Sequence, residues 1–240
     1  MESESRREQP PYPASDAFAG PAPDQPSLSL AAPSLAEYFA DNAGDGAVTA
    51  FIFQQLHAVI ASGKPVLWVQ DRMSQREAGK PYPPGLPEDL KMILVTVNRP
   101  VDALWAMEEG LHSDAIGAVL GEVWGDPAAL DFTATKRLAM RSEARGIPAL
   151  LIRRAAHPNL SAARQRWNIS SLPSRPDPDD DRAPGEPLWQ ADLFRARGRA
   201  PGQWVAGPGA QGATLEHHVR MDLGPDAPGQ DADDASRAAG

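Results

Sequence analysis

Cysteine is absent from all 240 residues, which excludes disulfides and thiolate-bound zinc and fits a reducing compartment. Long apolar runs are absent too. No stretch approaches the ~20 residues that a membrane helix needs. The opening Met1-Glu2-Ser3-Glu4-Ser5-Arg6-Arg7 lacks the apolar segment of a secretory signal, so a cytoplasmic location is expected. The third absence is one side chain. Residues 35–71 read as strand, glycine-bearing turn, helix and strand, the layout of a phosphate-binding loop. A working loop follows GxxxxGK[ST]: backbone N–H groups cradle the phosphates, the lysine reaches the outer ones and Ser/Thr holds magnesium. The turn Asp41-Asn42-Ala43-Gly44-Asp45-Gly46-Ala47-Val48-Thr49 contains two glycines, Gly44 and Gly46, and Thr49. Val48 occupies the lysine position, and Asp45 puts negative charge where phosphate belongs. The scaffold of a nucleotide site is expected, without its chemistry.

What is present suffices for one core. Hydrophobic residues make up 42% of the chain, but 25 prolines and 20 glycines are too many for uniform globularity. The net charge of −9 is unevenly spread. Residues 1–33 carry −3, residues 176–187 carry −4 and residues 222–240 carry −4, which leaves about +2 on the rest. Seven prolines and no periodicity mark 1–33 as a disordered tail. Residues 224–240 read as a disordered acidic tail, and 173–187 as an acidic loop inside a domain spanning 34–223.

Within that domain, Leu35–Phe39 reads as a strand and Ala47–Ala61 as one apolar helix stopped by Gly63. Pro65–Val69, Met92–Val97, Ile116–Val123 and Ala149–Ile152 are short continuous apolar runs, as expected of strands buried on both faces of a parallel sheet. Helices are expected over 100–112, with Val101, Leu104, Trp105 and Leu111 on one face, and from the Asp131 cap to Arg145, ended by Gly146 and Pro148. Residues 72–90 read as an exposed loop. Strands at 166–169, 188–195, 203–206 and 214–223 read as antiparallel additions at one edge. The fold class expected is α/β: a mostly parallel sheet flanked by helices, with antiparallel strands at the C-terminal edge.

Arg153, Arg154, Arg164, Arg166, Arg195, Arg197 and Arg199, with Arg175, lie among Trp167, Trp189 and Phe194. Cations mixed with aromatics suit contact with DNA or a partner; the competing reading is a sheet face neutralised by the acidic loop at 177–181. Gln190-Ala191-Asp192-Leu193-Phe194 matches the QxxLF peptide of sliding-clamp ligands, but its alternation reads as a strand inside the sheet. Adjacent His217 and His218 would point to opposite faces, so no metal is expected. Trp105 and Trp124 read as core, and Glu108 and Glu109 as a solvated helix face.

Several segments in joint order resemble one family. They are Ala103–Leu111, Ala118–Val123, Leu130–Leu138, Gly146–Arg153, Arg164–Trp167, and Leu193–Arg199 leading to Gly202–Trp204. Over about 35–206 the chain is similar to the ImuA branch of RecA-like proteins, also called SulA/RecA-like. The resemblance implies a RecA-like fold and an accessory role in SOS-induced mutagenic translesion DNA synthesis, through contacts with RecA and/or an ImuB-type polymerase subunit. It implies no reaction and no cofactor. Set against RecA, Val48 replaces the loop lysine, Arg72 is the expected counterpart of the catalytic glutamate, and the magnesium-supporting acid falls on Gly121, with Glu122 beside it. Only short loops, Trp124–Pro127 and Arg153–Pro158, stand where RecA has DNA-binding loops. An ATPase is not expected. The alternatives are a degenerate nucleotide- or DNA-binding RecA paralogue, using Thr49, the Gly44–Gly46 backbone and Lys64, or a SulA-like inhibitor of cell division.

Overall fold

The computed structural model describes residues 33–180, 182–198, 200–209 and 213–217. The predicted tails over 1–33 and 224–240 lie, except for Pro33, outside the described residues, as do Arg199 and His218. Chain order is β1 (Leu35–Ala40), α1 (Ala47–Gln55), α2 (His57–Ala61), β2 (Val66–Asp71), α3 (Arg72–Ala78), β3 (Met92–Val97), α4 (Pro100–Gly110) and β4 (Ala118–Trp124). Then come α5 (Phe132–Arg145), β5 (Ala149–Arg154), β6 (Gln165–Leu172), β7 (Leu188–Ala196), β8 (Gly202–Gly207) and β9 (Thr214–His217).

One sheet runs β3-β2-β4-β5-β1-β6-β7-β8-β9. Its first six strands are parallel, and β7, β8 and β9 continue it antiparallel. This is the α/β architecture expected from the pattern, and it agrees with the RecA-like fold that the resemblance implies. The central strands are apolar throughout because both faces are covered. On one face α1 meets an aromatic layer of Tyr38, Phe51, Trp167, Trp189 and Trp204, with Phe51 and Trp167 centroids 5.4 Å apart. On the other, α4 and α5 bury Leu104, Met107, Leu138, Leu35 and Leu151. The packing of α4 is close: a Cβ on Gly121 would overlap Met107 Sδ.

Helix ends follow local chemistry. The Asp131 carboxylate accepts the Ala134 amide at 2.7 Å, and Gly146 closes α5 at φ 66°. Where the pattern misleads, tertiary packing is the cause. The helix expected over 47–61 is two, because Leu56 (φ −86°, ψ 6°) leaves helical geometry with its side chain fully buried. The loop expected over 72–90 contains α3 and a 3-10 turn at Pro83–Gly85. Asp71 starts α3 by accepting the Ser74 amide at 2.6 Å. β3 is an edge strand, so Ile93 and Leu94 are exposed rather than covered on both faces. Trp105, expected in the core, is 64% exposed, and Trp124 is half-buried. Glu108, expected to be solvated, is buried against Arg137 (2.9 Å) and Arg141 (3.2 Å).

The acidic loop 173–187 is an extension of the β6–β7 hairpin. Arg175 and Glu186 pair through backbone at 2.9 Å, and Pro176 bridges Pro184. The Asp177 and Asp180 carboxylates accept amides of their own turn. Among the described residues no helix is long and apolar enough to cross a membrane.

Candidate functional site: a self-satisfied loop at the strand ends

The loop between β1 and α1 lies at the carboxyl ends of the parallel strands, where α/β sheets bind ligands. It borders a cleft of about 240 Å³ lined by Gly44, Gly46, Thr49, Gln70, Glu122 and Arg154, among others. Gly44, Gly46, Thr49 and Glu122 thus border one cleft, and Val48 does not. Val48 is fully buried in the aromatic core.

The loop satisfies itself. The Gly44 amide donates to Asn42 Oδ1 (3.1 Å), the Asp45 amide to the Asn42 carbonyl (2.9 Å) and the Ala47 amide to Asp45 Oδ1 (2.8 Å). The same carboxylate accepts the Ser171 hydroxyl (2.6 Å) and amide (2.8 Å), tying the loop to β6. Partial burial works against ionisation of Asp45, but the Ser171 and Ala47 hydrogen bonds and the Arg154 charge together hold its pKa below the usual carboxylate value. At the start of α1 the Asp45 carboxylate therefore takes the position an anion would take. Neither glycine is needed for close approach. A Cβ on Gly46 meets nothing within 4 Å, and one on Gly44 would lie 3.8 Å from its nearest neighbour, Asn42 Oδ1.

Arg154, at the end of β5, closes the cradle from the other side. Its Nη1 donates to the carbonyls of Ala43 (2.8 Å) and Asp45 (3.0 Å), its Nη2 to Thr49 Oγ1 (3.3 Å), and its Nε to Glu122 Oε1. Four hydrogen bonds thus engage a group that has five N–H donors. Glu122 also accepts Trp68 Nε1 (3.1 Å) and Gln70 Nε2 (2.7 Å) on its other oxygen. Glu122 is fully buried and Arg154 is 4% exposed, so each compensates the other's loss of water.

Three sequence assignments change here. Gln70 lines the cleft, whereas Arg72 is exposed at the first residue of α3. Gly121 packs under Met107, and its neighbour Glu122 lines the cleft, because successive strand residues point to opposite faces. Lys64 precedes β2 at the opposite end of the strands, where Nζ donates to the Asp114 carbonyl at 3.0 Å, so it does not serve the loop.

The arginine set divides. Arg153, Arg154 and Arg166 are buried and offer no surface for DNA or a partner, contrary to expectation. Arg166 Nε donates to Glu37 Oε2 at 2.7 Å, with its guanidinium 5.2 Å from the Phe39 ring centre and 5.4 Å from that of Phe194. Arg153 pairs with Asp126 at 2.7 Å. Arg164 is half-buried on Glu143 at 2.5 Å, and Arg195 and Arg197 are exposed. The role of Arg154 leaves no signal in its segment. Only β5 running beside β4, with Trp124 opposite Arg154 in the register, brings it to Glu122. Gln190–Phe194 is strand, within β7 between β6 and β8. Among the described residues no group of three His, Cys, Asp or Glu side chains could hold a metal.

No protein-family model matches the chain. Two relatives are similar to it: Protein ImuA of Caulobacter vibrioides strain NA1000 / CB15N, and Protein ImuA of Caulobacter vibrioides strain ATCC 19089 / CIP 103742 / CB 15. Each is 31% identical over 170 residues, covering 66% of this chain and 67% of the relative.

Proposed function

The chain belongs to the ImuA family, and from that premise we propose that it is a non-catalytic accessory protein of SOS-induced mutagenic translesion synthesis, working through contacts with RecA and/or an ImuB-type polymerase subunit. The observation that carries this reading is Arg154 inside the phosphate cradle. A nucleotide needs free amides, a mobile cation and a hydroxyl for magnesium. Here the Gly44, Asp45 and Ala47 amides are spent within the loop, Thr49 is engaged, and the cation is held by a buried acid. Opening the site would strand Glu122 without its counter-charge.

A protein-contact role is further supported by apolar groups left in water. The edge strand β3 exposes Ile93 (46%) and Leu94 (38%), and the helix after it exposes Val101 (47%) and Trp105 (64%). Unpaired strand edges and exposed large apolar side chains favour association.

The test is co-purification of the full chain with RecA and with an ImuB-type subunit, beside a measurement of ATP turnover. Retention of at least one partner, without turnover, is the expected result. Stoichiometric hydrolysis that Thr49→Ala abolishes would overturn the non-catalytic reading. Failure to retain either partner would overturn the assigned contacts.

A further inference from the structure

A second concavity, of about 480 Å³, lies near the opposite end of the sheet from the cradle, between α5, the 161–164 segment and the end of β7. Its α5 wall is one stripe: Phe132, Lys136, Ala139 and Met140, spaced to share a helix face. The other wall brings Arg164, Arg195 and Arg197. Backbone bonds fix this wall. The Arg164 amide donates to the Leu35 carbonyl and the Arg197 amide to the Arg164 carbonyl, both at 2.8 Å. A bulge in the β6–β7 ladder sets Arg166 opposite Arg195 but Trp167 opposite Leu193, leaving Phe194 as the extra residue. Bulges re-aim the residues beside them, and here Arg195 lines the concavity.

Four cations line this groove and, among the described residues, no acid does. Glu143, beside it, holds Arg164 at 2.5 Å, and Arg164 and Arg197 both lower its pKa. Lys136, Arg195 and Arg197 make no side-chain hydrogen bond or ion pair to the described residues. Next to them Phe132 is 41% and Met140 58% exposed. We infer that this groove binds the sugar-phosphate backbone of single-stranded DNA. Guanidinium forks match phosphate oxygens, and an exposed ring beside them is a stacking platform for a base. An acidic peptide would use the cations but offer Phe132 no planar partner. The choice of DNA rests on the role proposed above, whereas the groove's preference for a phosphate backbone rests on its own side chains.

The test is fluorescence anisotropy of labelled oligo-dT with the full chain at about 50 mM and about 200 mM salt. Saturable, salt-sensitive binding is expected. The double variant Arg195→Glu/Arg197→Glu should bind about ten-fold or more weakly, with a salt slope shallower by about 0.7 for each phosphate that it no longer neutralises. Phe132→Ala should bind about ten-fold more weakly. Arg76→Glu, on α3, should bind like the parent. Arg195→Gln/Arg197→Gln, compared with the parent in thermal midpoint, separates lost binding from lost folding. Absence of binding at low salt, or equal binding by the charge-reversed variant, overturns the inference. Tighter binding of oligo-glutamate, lost in the same variants, replaces DNA with an acidic protein segment. Tighter binding of oligo-rU replaces it with RNA. None of these outcomes decides the partner contacts, which are read by co-purification.

Discussion

Arg154 and Arg195 carry the same guanidinium toward opposite ends of one sheet, and their circumstances are opposite. Arg154 is 4% exposed, bonded to a buried acid, a threonine and two carbonyls. Arg195 is exposed on a groove that, among the described residues, has no lining acid. The first is a structural part that ties the β1–α1 loop to β4; the second faces solvent. Charge type does not separate them. Burial does, because a buried ion without its counter-charge costs several kcal/mol, whereas an exposed one costs almost nothing.

Opening the closed end should affect the fold most. Arg154→Ala leaves Glu122 buried with only Trp68 and Gln70 as donors and should destabilise the fold by about 3–5 kcal/mol. Urea unfolding reads this as a lower midpoint at constant slope. A change below about 1 kcal/mol would mean that water already reaches the pair. Trp167→Ala should cost a similar ~3–5 kcal/mol by leaving a void in the aromatic layer. Asp45→Asn tests the internal anion. Loss of the charged acceptor for Ala47 and Ser171 should cost about 1–2 kcal/mol near neutral pH. Because the folded-state pKa of Asp45 is lowered, its contribution is complete above the ordinary carboxylate range. It disappears as pH falls through the lowered value. The parent should therefore lose its advantage over Asp45→Asn on acidification; a difference independent of pH would remove the charge from the explanation. Gly46→Ala has the opposite sign. Gly46 adopts φ −76°, ψ −14° with open space at Cβ, so the alanine should stabilise by about 0.4–1 kcal/mol. The smallest effect is at the surface. Trp105→Ala should stay within about 0.5 kcal/mol in the same urea measurement, because its ring is in solvent, while weakening partner retention.

How much is legible follows from the range of each signal. Capping and periodicity act within a turn or two. Asp131, Gly146 and the apolar strands are therefore readable with their boundaries nearly intact. Asp71 gives the same kind of local signal, with Ser74 three residues on, but the prolines beyond it suggest a loop and hide α3. Apolar composition does not distinguish a central strand from an edge. β3 therefore reads as covered on both faces, and Trp105 reads as core although its part of α4 faces solvent. At the site, Val48 two residues after Gly46 is visible in the sequence as a turn without a lysine. The substitute is not, because Arg154 lies 105 positions from Thr49 and only the β4–β5 pairing brings it to Glu122.

From the sequence alone follow the α/β class, the order of elements, the glycine-bearing turn between β1 and α1 and the family. These rest on spacing, local propensity and shared segments, which need no knowledge of distant contacts. Tertiary structure decided which arginines are buried, which strand forms the edge, and that Asp45 and Arg154 close the cradle from within. The physical reason is that burial and ion pairing are properties of position in the sheet: a guanidinium fixed by a buried acid and one open to water differ only in the neighbours that distant segments supply.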